Sequence, residues 1–232
     1  MALIKFGGGI TEMRGSMAGN VYSRNKSGAY IRARTTPTNP NTAAQQAVRA
    51  AMSALTVRWA QTLTAAQRTA WNLYAASVAM TNKLGETMYL SGFNHYIRSN
   101  SILARAGLTL VDAGPTIFEL PDTDPAFAIT ASEAAQEIAV VFDDTMAWAN
   151  LDGAFMHIFQ GSPQNAQINY FNGPWLYADS LVGVTVAGLA SPQDVTAVTA
   201  FAELQKLWIY GRIQMADGRL SAPFRASCFA AA

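Results

Sequence analysis

Two histidines (His95 and His157), one cysteine (Cys228) and the adjacent pair Asp143-Asp144 are the first candidates in this 232-residue chain for moving protons or holding a metal. A metal site or an acid–base pair needs such groups close together in a ligand-like pattern, and these are scattered. His95 lies in a helical pattern and His157 between Phe155 and Phe159 in a strand pattern, so both are read as packing or surface residues. Cys228 has no activating base and is read as a small buried hydrophobe. Asp143 and Asp144 sit at a strand-to-loop transition where successive side chains point opposite ways, which makes them turn residues. Gly7-Gly8-Gly9 lacks the Lys-Ser/Thr and the following helix of a phosphate loop, and no Gly-x-Ser-x-Gly is present. The reading is therefore non-enzymatic, with no catalytic, cofactor-binding or metal-binding residue. A hydrolase in the C-terminal half would have no residue set to name.

The pattern that does carry chemistry is one of binding. Arg14, Tyr22, Arg24, Lys26, Tyr30, Arg32, Arg34 and Arg49 interleave cations with aromatics near the N-terminus. Such a series attracts the phosphates and bases of a single-stranded nucleic acid. Guanidinium groups also fork onto carboxylates and carbonyls across protein interfaces. The density is moderate and no RNA or DNA module is recognisable, so protein contact is preferred, with a nucleic-acid-binding packaging protein as the alternative of another class. The charge distribution agrees. Up to Leu110 there are twelve Lys or Arg against Glu12 and Glu86, 12 − 2 = +10, and from Val111 onward four against thirteen, 4 − 13 = −9, although the whole chain is +1. Another copy's acidic half, an acidic shell or nucleic acid could each meet the basic half, and self-association is expected.

Several elements must position these residues. Residues 1–38 are rich in glycine and small polar residues with too few apolar ones for an interior, which describes an extended basic arm ordered by another surface. Residues 39–110 form a helical unit. Asn41 or Thr42 can cap a first helix with the stripe Val48, Met52, Leu55 and Trp59, ending near Leu63. Thr64 and Gln67 form a capping box before Trp71, Tyr74, Ala75 and Val78, and Ser91 caps a third helix stopped by Gly107. Residues 111–125, with three prolines and four acids after Val111, are read as a linker. Over 126–232 the period changes to two: Ile138, Val140 and Phe142; Phe155 to Phe159; Val182, Val184 and Val186; Leu207 to Met215; then an Asp217-Gly218 turn and Leu220 to Cys228. The fold class expected is α+β, with an extended N-terminal arm, three helices and a C-terminal antiparallel β-sandwich. MALIKFGGGI is not a signal peptide, no stretch reaches the ~20 apolar residues of a membrane span, and no membrane partner is expected.

The run GSMAGNVYSRNKSGAYIRARTTPTNPNTAAQQAVRAAMSAL carries a resemblance. Its elements fall on Arg14 to Ser16, Gly19 to Arg24, Arg32 to Arg34, Pro37 to Thr42 and Gln45 to Arg49, followed by Leu63 to Trp71 and Ser91 to Asn100. Over roughly the first 110 residues it resembles a group of uncharacterised tailed-phage and prophage virion proteins. Residues 207–223 resemble the closing hairpin of fibronectin-III or immunoglobulin-like modules. The resemblance implies a virion structural protein assembled in the host cytoplasm, a capsid decoration or cement protein whose arm binds the major capsid protein or other virion subunits. A tail or head-to-tail connector component is the other structural option.

Overall fold

The structure, a computed structural model, describes residues 2–232 and has an α+β architecture with a β-rich C-terminal half. The chain begins with four short strands: β1 (Ala2–Leu3), β2 (Gly15–Met17), β3 (Asn20–Asn25) and β4 (Gly28–Ala33). They pair antiparallel in the order β1-β4-β3-β2. This corrects the expectation of an extended arm: the N-terminal segment folds back on itself. Turns make it possible, with Gly28 at φ +119° closing the β3–β4 hairpin and Ala18 at φ +49° between β2 and β3. Strands this short, separated by glycines, leave almost no apolar alternation to read.

Helix α1 (Ala43–Val57) starts at Thr42, whose hydroxyl accepts from Gln45 N. It continues into a π-helical turn, Arg58–Thr62, closed by Leu63 N donating to Arg58 O at 3.0 Å. Helix α2 (Ala65–Ser77) carries the full Thr64/Gln67 capping box, which satisfies donors that the first turn leaves free. The small hairpin β5 (Met80–Thr81) and β6 (Thr87–Met88) follows. Helix α3 (Gly92–Ala106) is capped by Ser91 and ends at Gly107 in the left-handed region, φ +69°. Leu55, Leu63, Trp71, Tyr74, Val78 and Tyr96 form one buried cluster between the helices, extended by edge-on contacts of Trp71 with Tyr74 and Tyr96.

The C-terminal half contains β7 (Ala128–Ser132), β8 (Glu137–Val141), β9 (Phe155–Gly161), β10 (Trp175–Val182), β11 (Gln193–Thr196), β12 (Lys206–Gln214) and β13 (Phe224–Ala231). Their order is β10-β9-β12-β13-β7-β8-β11, a mixed sheet because β13 and β7 run parallel through Ala230↔Ala131 and Ala231↔Ser132. The end strands β10 and β11 approach each other, so the sheet nearly closes on itself. Ile138, Val140, Trp148, Met156, Ile158, Leu207 and Ile209 fill its interior. Two expectations need correction. The sheet is not purely antiparallel, and the Val182, Val184, Val186 alternation is no strand: β10 stops at Val182, leaving Val184 and Val186 exposed in a turn. Gly183 explains it, since any Cβ there would lie 2.0 Å from Trp148 O. The backbone must pass that close, and a regular strand cannot.

Helices and sheet are packed together. Ile102, Phe159 and Leu220 form a buried cluster with Trp175, Tyr177 and Tyr210 around it. Arg98 on α3 donates to Leu220 O at 2.7 Å and Ser221 O at 2.8 Å. Segment 111–125 is extended but docked. Asn100 holds Val111 through both amide atoms, and Gly114 sits where a Cβ would be 2.6 Å from Trp71 N. Asp112 receives a forked pair from Arg58, at 2.8 and 2.6 Å, and a bond from Tyr96 OH at 3.2 Å. Those bonds, the Arg58 fork first, hold its carboxyl below the ordinary carboxylate value.

Candidate interaction surface

The eight residues of the basic and aromatic series fall in three places. Because side chains alternate along a strand and opposed residues share a face, the register Tyr22↔Ile31 and Arg24↔Ala29 puts Tyr22 and Arg24 on one face of the N-terminal sheet. The register Ser23↔Tyr30 and Val21↔Arg32 puts Tyr30 and Arg32 on the other, and Arg34, two residues on, follows Arg32. Lys26 is at the tip of the β3–β4 hairpin, where Asn25 Oδ1 accepts from Ser27 N. Arg14 lies just before β2 and is drawn to Glu12, its Nε and Nη2 both 2.9 Å from Oε1, with Arg24 at 3.8 Å from the same oxygen. Arg49 is not brought to this sheet. It donates to Asn39 Oδ1 at 2.8 Å and Asn41 Oδ1 at 3.4 Å, tying the start of α1 to the segment before it.

None of the described residues from Ala2 to Ala54 is buried; Leu55 is the first buried one among them. The N-terminal sheet meets the rest of the molecule at the β5–β6 hairpin. Lys5 Nζ is 2.6 Å from Glu86 Oε1, and Asn82 Nδ2 donates to Ser27 O at 3.0 Å. Lys5 and then Asn82 hold the Glu86 carboxyl below its ordinary value. An exposed pair of this kind contributes little to stability. Lys5 was not among the residues singled out from sequence, since its role appears only once Glu86 is beside it. Among the described residues Lys26, Arg32 and Arg34 have no carboxylate within ion-pair distance.

The remaining polar groups with chemical potential are interior. His157 is fully buried, with Nδ1 2.6 Å from Ser180 Oγ, Nε2 2.8 Å from Gln214 Oε1, and Tyr177 OH 2.7 Å from the same serine hydroxyl. A serine beside a histidine has the form of a nucleophile and base, but burial lowers this imidazole to about 4, far from the value near 7 that suits a general base. His95 is also fully buried and lowered to about 4 by burial, its ring 5.0 Å from Tyr74 and both ring nitrogens without a partner. Cys228 is half-buried against the sheet interior, which raises its thiol. Asp143 Oδ1 accepts from Thr145 N and Oγ1, closing a turn. Among the described residues no group of three or more His, Cys, Asp or Glu is placed to hold a metal, and no helix is long and apolar enough to cross a membrane.

The two histidines make stability pH-dependent. Between their ordinary 6.5 and about 4, the unfolded chain takes up protons that the folded one refuses. Stability is therefore complete above about 6.5 and falls as pH drops towards 4. Thermal melts across that window should show a declining midpoint, and a His95→Leu/His157→Gln variant a flatter one. A flat wild-type profile would contradict the buried neutral imidazoles.

No protein-family model matches the chain, and no curated protein matches it. Among solved structures, the adhesin domain of Epf from Streptococcus pyogenes is similar at 11% identity, covering 46% of this chain and 31% of that one, with a TM-score of 0.28. The chain thus spans about a third of that structure, and the likeness supports no functional argument.

Proposed function

We propose that this protein is a non-enzymatic structural component of a tailed-phage virion, a capsid decoration or cement protein whose N-terminal segment binds neighbouring subunits. The observation that carries the proposal is a folded N-terminal sheet and the first twelve residues of α1 without a single buried residue from Ala2 to Ala54. Ordering backbone costs roughly 1–2 kcal/mol per residue. A segment with no interior of its own offsets that cost best by burying its surface against something else. The sheet presents Lys26, Arg32 and Arg34 without a carboxylate in ion-pair distance among the described residues, and the sequence of this region is the part that resembles virion proteins. The partner surfaces are the major capsid protein, other virion subunits and further copies of this chain.

The finer reading of the C-terminal half belongs to the same proposal. Strands β7, β8 and β11 would form one layer and β10, β9, β12 and β13 the other, the arrangement of a fibronectin-III or immunoglobulin-like sandwich. Placement of Tyr22 and Tyr30 on opposite faces argues against the nucleic-acid alternative, because a single-stranded groove stacks bases along one face.

Quantitative mass spectrometry of purified particles is the primary test. A cement protein that follows the symmetry of a shell is present in copies on the order of hundreds, whereas about a dozen would move the protein to a connector or tail. Arg32→Glu combined with Arg34→Glu should reduce incorporation by about tenfold or more. Arg105→Glu, a comparable loss of an exposed cation at the end of α3, should leave it near normal. Arg219 is unsuitable as that comparator, being 8% exposed and 2.7 Å from Asp217. Equal incorporation of both variants would remove the N-terminal sheet from the attachment role.

A further inference from the structure

We infer that copies of this protein join head to tail, the Tyr30, Arg32 and Arg34 face of one N-terminal sheet docking into an acidic cleft on the C-terminal half of the next. This deepens the structural reading above by naming a second copy as one of its partners.

The cleft, about 410 Å³, opens where segment 111–125 crosses the end of β12. Glu119 and Asp122 stand on its rim, both exposed and, among the described residues, without a cation in ion-pair distance. Met146 and Met215, half-buried over the fully packed Trp148, supply an apolar floor, and Arg219 lines one wall. Arg219 is already neutralised by Asp217, so the four charges sum to −3 + 1 = −2. Ile117 and Phe118, 45% and 44% exposed, continue the apolar surface beside the rim. A long aliphatic stem ending in a forked donor fits such a site: the stem covers the half-buried methionines while the guanidinium reaches a carboxylate. The exposed arginines two apart on β4 and its extension have that form, and the strand spacing separates them by about 6.5 Å.

Charge complementarity selects the occupant. Of the thirteen carboxylates after Leu110, Asp112 and Asp217 are the ones in ion pairs among the described residues, leaving 13 − 2 = 11 without a described cation. Across the chain the excess cations are in the N-terminal half, and Lys26, Arg32 and Arg34 have no ion-pair partner among the described residues. The protein's own basic sheet does not fill its own cleft, because it is held at the β5–β6 hairpin by Lys5–Glu86 and Asn82–Ser27. Each copy therefore presents a donor surface and a receptor surface at different places. Such a heterologous contact closes into a ring or continues as a filament.

Sedimentation velocity of the purified full-length protein tests this without any particle, so its outcome is independent of the incorporation experiment. At low salt the wild type should associate, and the association constant should fall by about tenfold or more as salt rises to roughly 0.5 M, where screening is short-ranged. Arg32→Glu/Arg34→Glu and Glu119→Lys/Asp122→Lys should each be monomeric while keeping the wild-type circular dichroism and melting curve, since all four side chains are exposed. An equimolar mixture of the two variants should associate again, because each restores the charge that the other lost. The idea is overturned if the wild type stays monomeric at low salt, if either variant associates like the wild type, or if the mixture does not recover. Monomeric protein whose particle incorporation still needs Arg32 and Arg34 would assign the basic face to a different virion subunit. Monomeric protein binding nucleic acid in a salt-dependent way would assign it there.

Discussion

Replacing Trp71 with alanine should cost about 3–5 kcal/mol of stability, the usual range for removing a fully buried aromatic. In a chain of this size that is a fall of about 10 °C in Tm, and a large part of a typical total stability. Trp71 is fully buried and does three things at once. Its ring packs edge-on against Tyr74 and Tyr96, its indole nitrogen donates to Asp112 O at 3.0 Å, and its far edge faces Gly218 in the turn after β12. The indole thus lies where helix, connecting segment and sheet meet. Trp71→Phe, which keeps most of the ring and loses the donor, should be intermediate. Chemical denaturation of the three proteins measures it, and a loss below about 1 kcal/mol for the alanine variant would mean that the junction does not depend on this side chain.

Arg98→Ala is the second large effect. Arg98 reaches from α3 to two consecutive carbonyls of the sheet, Leu220 O and Ser221 O, and burial lowers its guanidinium to about 10, with Arg212 adding to the effect. A charged donor bonded to a buried carbonyl contributes about 1.5–3 kcal/mol, and the orphaned acceptors add a desolvation cost. The expected loss is about 3 kcal/mol. Its form matters more than its size. With Arg98 present, helices and sheet should unfold in one transition; without it, helical circular dichroism and the fluorescence of Trp148, which packs into the sheet's interior from the β8–β9 connection, should separate along a denaturant titration. Coincident curves in Arg98→Ala would show that Ile102, Phe159 and Leu220 hold the halves together by themselves.

The helices were legible because their ends are written in local chemistry. Thr42, Thr64 with Gln67, Ser91 and Gly107 each do in the structure what their residue type and spacing announce. Leu55, Trp71 and Tyr74 follow the apolar stripes into one cluster, and Asp217-Gly218 forms its turn, Gly218 N donating to Met215 O at 2.9 Å. Strands were readable only where large apolar residues alternate. Strand β7, AITAS, and β11, QDVT, are too short and too small in side chain to stand out, and they gain their place by pairing with β8. Val184 and Val186 mislead for the opposite reason, since their alternation is real but β10 ends at Val182, Gly183 passes against Trp148 O and Val184 N bonds to Ala149 O instead of a neighbouring strand.

The basic series was visible as composition, not as a surface. Separating Tyr22 from Tyr30 requires the β3–β4 register, which depends on where Gly28 places the turn. The acidic cleft was less accessible still. Glu119, Met146 and Arg219 are far apart in the chain, and only the crossing of the connecting segment over β12 gathers them. That segment looked like a spacer because proline and acid repel regular structure; Asn100, Arg58 and Trp71 hold it down through bonds that no local pattern displays.

The parallel pairing of β13 with β7 bears on how the β-rich half would carry tension. Drawn apart from Ala128 and from Ala231, two strands running the same way slide lengthwise. Their cross-links at Ala230–Ala131 and Ala231–Ser132, with Glu133 N bonded to Ala231 O at 2.7 Å, are then strained together instead of opening one after another. A hairpin pulled from its two free ends peels like a zip; this joint resists as a lap seam, at the chain positions where load enters and leaves the half.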